Sequence, residues 1–147
     1  RAQRAGTLQR NFQGYSTKAE CDLVAMGVSS ISKVGDAYAQ NAKTLPEYYA
    51  AIDAGGLAVQ RGVQLTDDDR LRRDVIQRLM CATRLDFAAV DAQFGIRFEE
   101  YFAPELAALV PLQDDGLVER EGRGLRITGR GRLLMRNVAM TFDAHLP

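Results

Sequence analysis

Two regimes of apolar and polar patterning divide this chain. From Leu23 to Ser32 the run Leu-Val-Ala-Met-Gly-Val-Ser-Ser-Ile-Ser is small, apolar and uncharged, and such a run without polar alternation predicts a strand covered on both faces, as in parallel α/β sheets. Upstream, Asn11 to Thr17 is rich in turn formers and lacks a helical period, which predicts an ordered loop leading to that strand. A lone buried strand needs neighbours. Residues 1–41 are therefore expected to be the last segment of a larger sheet, with Arg1 at a cut.

Beyond Asn41 the pattern becomes amphipathic and helical. Leu45-Pro46-Glu47 offers proline at a helix start and Gly55-Gly56 a stop, predicting a helix over 46–54. Thr66-Asp67-Asp68-Asp69 places a hydroxyl at an N-cap and three carboxylates in the first turn, where the helix dipole favours them. Leu71, Val75, Leu79 and Thr83 then recur every fourth position, broadened by Ile76 and Met80, an apolar stripe of helical period. A short helix follows over 86–95, stopped by Gly95, and a third over 104–109, closed near Pro111. Leu117 to Glu121 and Leu125 to Thr128 flank Gly122-Arg123-Gly124 as a hairpin, and a last helix is expected from Thr128 through Leu134, Val138 and Phe142. The expected class is α+β, mainly α. Residues 42–147 follow the helix, helix, helix, hairpin, helix plan of a winged helix.

Composition narrows the partners. The chain has 147 residues, 46% of them hydrophobic, enough for one domain with a real core. Lys and Arg number 19, as do Asp and Glu, so no long-range field steers the protein to nucleic acid or an anionic membrane. Cys21 and Cys81 lie sixty positions apart with no second sulfur near either, which offers neither metal-site spacing nor a disulfide framework and suggests reduced thiols of the cytoplasm. No apolar run approaches the roughly 20 residues of a membrane span.

The motifs exclude more than they assign. A winged helix invites a DNA-binding regulator, whose third helix would need basic or amide groups facing the bases. From Phe98 to Val118 there is no Lys or Arg, while Glu99, Glu100, Glu105, Asp114 and Asp115 would repel phosphates. Arg120, Arg123, Arg126, Arg130, Arg132 and Arg136 crowd one stretch, with Glu119 and Glu121 as the nearby acids. They form either a solvated face or a grip on a carboxylate ligand or acidic surface, since the guanidinium fork matches a carboxylate bidentately. His145 has no second ligand or nucleophile placed by sequence, and Ser29, Ser30 and Ser32 lack the Gly-x-Ser-x-Gly elbow of a hydrolase. No complete catalytic set and no metal site is present.

Three blocks, Arg10-Asn11-Phe12-Gln13-Gly14-Tyr15-Ser16-Thr17, Met26-Gly27-Val28-Ser29-Ser30-Ile31-Ser32 and Gly35-Asp36-Ala37-Tyr38-Ala39-Gln40-Asn41, resemble the oxygen-independent coproporphyrinogen III oxidase family. The resemblance continues through Arg72-Arg73-Asp74-Val75-Ile76, Arg84-Leu85-Asp86, Asp115-Gly116-Leu117-Val118 and the segment from Gly131 to Asn137, in the family's carboxyl-terminal third. It implies a radical S-adenosylmethionine enzyme of haem biosynthesis that oxidatively decarboxylates two propionates of coproporphyrinogen III to the vinyl groups of protoporphyrinogen IX. S-adenosylmethionine and a [4Fe-4S] cluster are the implied cofactors of the full-length enzyme. The family's Cys-x-x-x-Cys-x-x-Cys motif is absent from these residues, so this fragment is expected to be inactive by itself. Residues 1–41 would end the catalytic barrel and 42–147 form the carboxyl-terminal domain. The full-length enzyme is expected to be a cytoplasmic monomer whose partner is the tetrapyrrole, with no nucleic acid or membrane. Matched by position, Phe12, Gln13 and Ile31 would line the S-adenosylmethionine sites: Phe12 as a flat apolar face, Gln13 as donor and acceptor, Ile31 as a pocket wall. A haem-binding or carrier relative on the same scaffold is the alternative.

Overall fold

In the computed structural model, which describes every residue except Arg4, Gly6, Phe12, Gln13, Ala19, Glu20 and Pro147, the chain packs as two units. One comprises Arg1–Ala19 with Leu71–Pro147 and the other Glu20–Arg70. The first begins with β1 (Gln9–Asn11) and β2 (Gly14–Ser16), an antiparallel pair with Arg10 opposite Tyr15. The stretch predicted as a loop thus contributes Asn11 and Gly14–Ser16 to a pair of antiparallel strands.

The second unit holds a three-stranded antiparallel sheet of order β3-β4-β5, built from β3 (Ile31–Val34), β4 (Ala37–Asn41) and, after helix α1 (Leu45–Asp53), β5 (Val59–Gln64). The buried parallel strand expected over Leu23 to Ser32 does not form. Ahead of β3 only Leu23 makes a bridge, to Lys33, and Val24 and Met26 are 74% and 87% exposed. Among the described residues every strand pair is antiparallel and no barrel closes. Helix α1 starts and stops close to expectation. The Thr44 hydroxyl accepts the Glu47 N–H, Pro46 sits in the first turn, and Gly55 adopts φ 75° just past the C-cap.

Helix α2 (Asp67–Ala82) opens on the cap that its sequence forecasts. Thr66 Oγ1 accepts the Asp69 N–H at 3.1 Å and Asp69 Oδ2 accepts the Thr66 N–H at 2.9 Å, a reciprocal capping box. Its stripe of Leu71, Val75 and Leu79 is buried, and these three head the main core. Thr83, forecast as the next position of the stripe, lies just beyond the helix at φ 60°.

Strand β6 (Arg84–Asp86) follows, then α3 (Phe87–Phe94), capped by Asp86 and ended by left-handed Gly95. The helix forecast over 104–109 forms as α5 (Ala103–Ala108), and two short helices that were not forecast flank it, α4 (Phe98–Tyr101) and α6 (Val110–Asp114). Pro111 occupies the first turn of α6 and so opens that helix, since proline needs no N–H there. Strands β7 (Val118–Arg120) and β8 (Gly124–Ile127) form the forecast hairpin, and β6 joins it in the order β6-β8-β7. The last helix is broken: a 3-10 turn over Gly131–Leu134 precedes α7 (Met135–Met140).

Four phenylalanines knit this unit. Phe98 stacks on Phe87 at 4.2 Å between centroids and approaches Phe102 at 4.7 Å and Phe142 at 6.2 Å, all four with no exposed surface. Val138 and Phe142 bring the carboxyl-terminal segment into that core. Gly131 lets it lie flat, because a Cβ there would stand 1.8 Å from the Leu117 carbonyl oxygen.

Candidate functional site

Of the three residues of the forecast pocket, Ile31 alone is described, and it falls in the second unit. Phe12 and Gln13 lie outside the described residues. Ile31 begins β3 opposite Gln40 and is half-buried, so it stands on a strand edge rather than inside a buried strand.

Immediately before Ile31, residues 22–30 form a loop held by side chains. Gly27 at φ 100° and Ser29 at φ 61° break the extended path, which is why the apolar composition of this run misleads about strand formation. Asn41 Nδ2 donates to the Gly27 carbonyl at 3.0 Å and to Ser30 Oγ at 3.1 Å, while Ser30 Oγ itself donates to the Gly27 carbonyl at 2.6 Å. The Gly27 N–H reaches Tyr48 Oη at 3.2 Å, and Ser32 Oγ accepts the Ala25 N–H at 3.0 Å. Asp22 Oδ1 accepts the Gly35 N–H at 2.8 Å and ties the loop start to the β3–β4 turn. These polar groups meet backbone groups that a strand ladder would have satisfied. The Ser30 and Ser32 hydroxyls are thus structural, and the loop presents Val24 and Met26 outward. Arg61 Nε donates to Gln40 Oε1 at 2.8 Å, and Gln40 Nε2 to the Ser29 carbonyl at 3.2 Å, so β5 and β4 brace the same loop. Asp36 accepts from Arg70 at 2.7 Å, and this bond together with the carboxylate's charge raises the Arg70 pKa.

The arginine-rich stretch separates into two groups that sequence could not distinguish. Arg120 pairs with Glu99 and lies 4.7 Å over the Phe87 ring. Arg123 bridges Asp91 at 2.9 Å and Glu99 at 3.2 Å, and Arg126 pairs with Glu119, its direct cross-strand neighbour one register from Arg120. The acids Asp91 and Glu99 come from α3 and α4, far from the β7–β8 hairpin in sequence. Asp91 also accepts the Phe98 N–H at 2.7 Å, and that bond, aided by Arg123, holds its carboxyl below the ordinary range. The hydrogen bonds from Asp91 and Glu99 in turn push the Arg123 guanidinium up. Arg130, Arg132 and Arg136 are exposed, and no ion pair is recorded for them among the described residues.

No group of three or more His, Cys, Asp or Glu able to hold a metal ion occurs among the described residues. Cys21 is exposed and Cys81 is buried, where desolvation raises its thiol pKa. No described helix is long and apolar enough to cross a membrane.

Residues 65–134 match the HemN C-terminal domain. Across 145 residues the chain is 54% identical to the oxygen-independent coproporphyrinogen III oxidase of Salmonella typhimurium, and the match covers 99% of this chain and 32% of that one. Identity to the Escherichia coli K12 protein of the same name is 52% over 145 residues, with the same coverage. A solved structure described as "Coproporphyrinogen III oxidase (HemN) from Escherichia coli is a Radical SAM enzyme" superposes with a TM-score of 0.94 at 51% identity, over 99% of this chain and 33% of that one. The chain spans about a third of the length of the relatives it matches.

Proposed function

We propose, from the premise that residues 65–134 belong to the HemN C-terminal domain family, that this chain is the carboxyl-terminal part of an oxygen-independent coproporphyrinogen III oxidase. The observation that carries the reading is continuity: 54% identity runs through 99% of the chain, beyond the matched domain and through the blocks containing Phe12, Gln13 and Ile31. The full-length enzyme would act in haem biosynthesis in the cytoplasm, removing two propionate carboxyls of coproporphyrinogen III without oxygen. S-adenosylmethionine and a [4Fe-4S] cluster would supply its radical chemistry. The two cysteines of this chain are too few for the family's three-thiolate pattern, so a cluster would rest on other residues.

What these residues contribute is binding and enclosure. Ile31 fits as an apolar wall, because it is half-buried and its strand is braced on both sides by Leu23 and Gln40. Phe12 and Gln13 would add a flat face and an amide that donates and accepts. We assign residues 1–41 to the end of the barrel and 42–147 to a winged-helix-like cover for the large substrate. The β3-β4-β5 sheet spans both assigned regions.

The DNA-binding reading is disfavoured by the wing itself: Arg120, Arg123 and Arg126 are engaged by Glu99, Asp91 and Glu119 and would have to abandon them for phosphates. The test is turnover. Full-length protein, reconstituted anaerobically with iron, sulfide, S-adenosylmethionine and a reductant, is expected to convert coproporphyrinogen III to protoporphyrinogen IX with release of carbon dioxide. Tetrapyrrole binding without decarboxylation would overturn the oxidase reading in favour of a carrier.

A further inference from the structure

Arg10 in β1 and Arg136 in α7 both line one cavity of about 200 Å³, together with the apolar Ile76, Met80 and Ala139. Met80 and Ala139 are buried in a small apolar cluster with Cys81, apart from the main core. Arg10 is held in place from three directions. Its N–H donates to Gln77 Oε1 at 3.1 Å, its carbonyl accepts from Gln77 Nε2, and its guanidinium carbon lies 5.7 Å from the Tyr15 ring centroid.

Among the described residues no carboxylate is recorded in an ion pair with Arg10 or Arg136, in contrast to the three wing arginines. One acid, Asp143, lines the rim, and its Oδ1 already accepts the His145 N–H at 2.9 Å. Two guanidiniums against one carboxylate leave a single net positive charge over an apolar floor. The volume lies below the roughly 300 Å³ at which sites for drug-sized ligands begin, so an arm fits where a whole large ligand does not.

We propose that this cavity binds a monoanionic carboxylate on a short aliphatic stem. Arg10 and Arg136 hold the carboxylate, as the guanidinium fork does well, and Ile76, Met80 and Ala139 cover the stem. The ligand is a free alkanoate or a propionate arm of a tetrapyrrole, the second source resting on the function proposed above.

Pentanoate titrated into the 147-residue chain, followed by NMR shifts with pentanamide as the uncharged isostere, tests the site. Saturable binding of pentanoate alone is expected, weakened at least tenfold by Arg136→Gln, reduced by added salt and tightened by Asp143→Asn. Absence of saturable binding, equal affinity for the amide, or an unchanged affinity in Arg136→Gln would overturn the site. Should Arg136→Gln fail to fold, Asp143→Asn decides, because unchanged or weaker binding there contradicts a rim charge that opposes the anion. Coproporphyrin III, added with fluorescence detection, is expected to compete with pentanoate. Pentanoate binding without that competition would overturn the tetrapyrrole source, while turnover of the full-length enzyme, measured separately, decides the function.

Discussion

Gly131→Ala and Gly129→Ala place the same methyl group two residues apart and should give opposite results. At Gly131 the added Cβ would meet the Leu117 carbonyl oxygen at 1.8 Å, its carbon at 2.7 Å and Ile127 Cγ2 at 3.0 Å, whereas at Gly129 nothing lies within 4 Å. The Leu117 carbonyl cannot swing aside freely. It accepts the Thr128 N–H at 3.1 Å and Thr128 Oγ1 at 3.3 Å, so moving it loosens the β7–β8 junction. Overpacking of this kind costs about 1–3 kcal/mol, and each strained hydrogen bond adds about 1 kcal/mol. The sum is about 3–5 kcal/mol, equivalent to a fall of about 6–20 °C in Tm for a chain of this size. Gly129→Ala should leave stability unchanged or raise it by a few tenths to about 1 kcal/mol, because it narrows the unfolded ensemble. Urea unfolding followed by circular dichroism at 222 nm reads both variants. A Gly131→Ala midpoint matching wild type, or equal destabilisation by both, would refute the claim that close backbone approach docks the segment carrying Arg136, Val138 and Phe142.

Three further outcomes follow from the packing and the charges. Phe98→Ala removes the ring at the centre of the aromatic cluster and should cost about 3–5 kcal/mol in chemical denaturation; a loss under about 1.5 kcal/mol would show that the cluster repacks. Asp91 is held below the usual carboxyl range, first by the Phe98 N–H and then by Arg123. Its stabilising contribution is therefore present above the unfolded value of about 4 and lost as pH falls through the lower folded value. Wild type should lose more stability between about pH 5 and pH 2 than Asp91→Asn, and parallel urea midpoints over that window would contradict this. Thr66→Ala removes the acceptor of the α2 capping box and should cost about 1 kcal/mol, largely restored by Thr66→Asp, as thermal melts would show.

Much of the helical part was legible because its determinants are local. A hydroxyl before three carboxylates caps α2, Asp86 and Gly95 bracket α3, and two glycines turn the β7–β8 hairpin, each through contacts within a few residues. The misreadings came where composition stood in for geometry. Leu23 to Ser32 looks like core because it is small and uncharged, yet Gly27 and Ser29 turn the backbone and Asn41, Ser30 and Tyr48 satisfy it, leaving Val24 and Met26 exposed. Pro111 was read as a stop although proline fits the first turn of α6 equally well.

Sequence alone determined the capped helices, the hairpin and the ordered blocks that resemble the oxygen-independent coproporphyrinogen III oxidase family. Tertiary structure decided which charges are free. Asp91 and Glu99 reach the β7–β8 hairpin from α3 and α4 and occupy Arg123 and Arg120, while Arg136 and Arg10, 126 positions apart, line the same cavity. Periodicity encodes contacts one turn or one strand away, but the pairing of distant side chains depends on how whole elements pack, which no local pattern specifies.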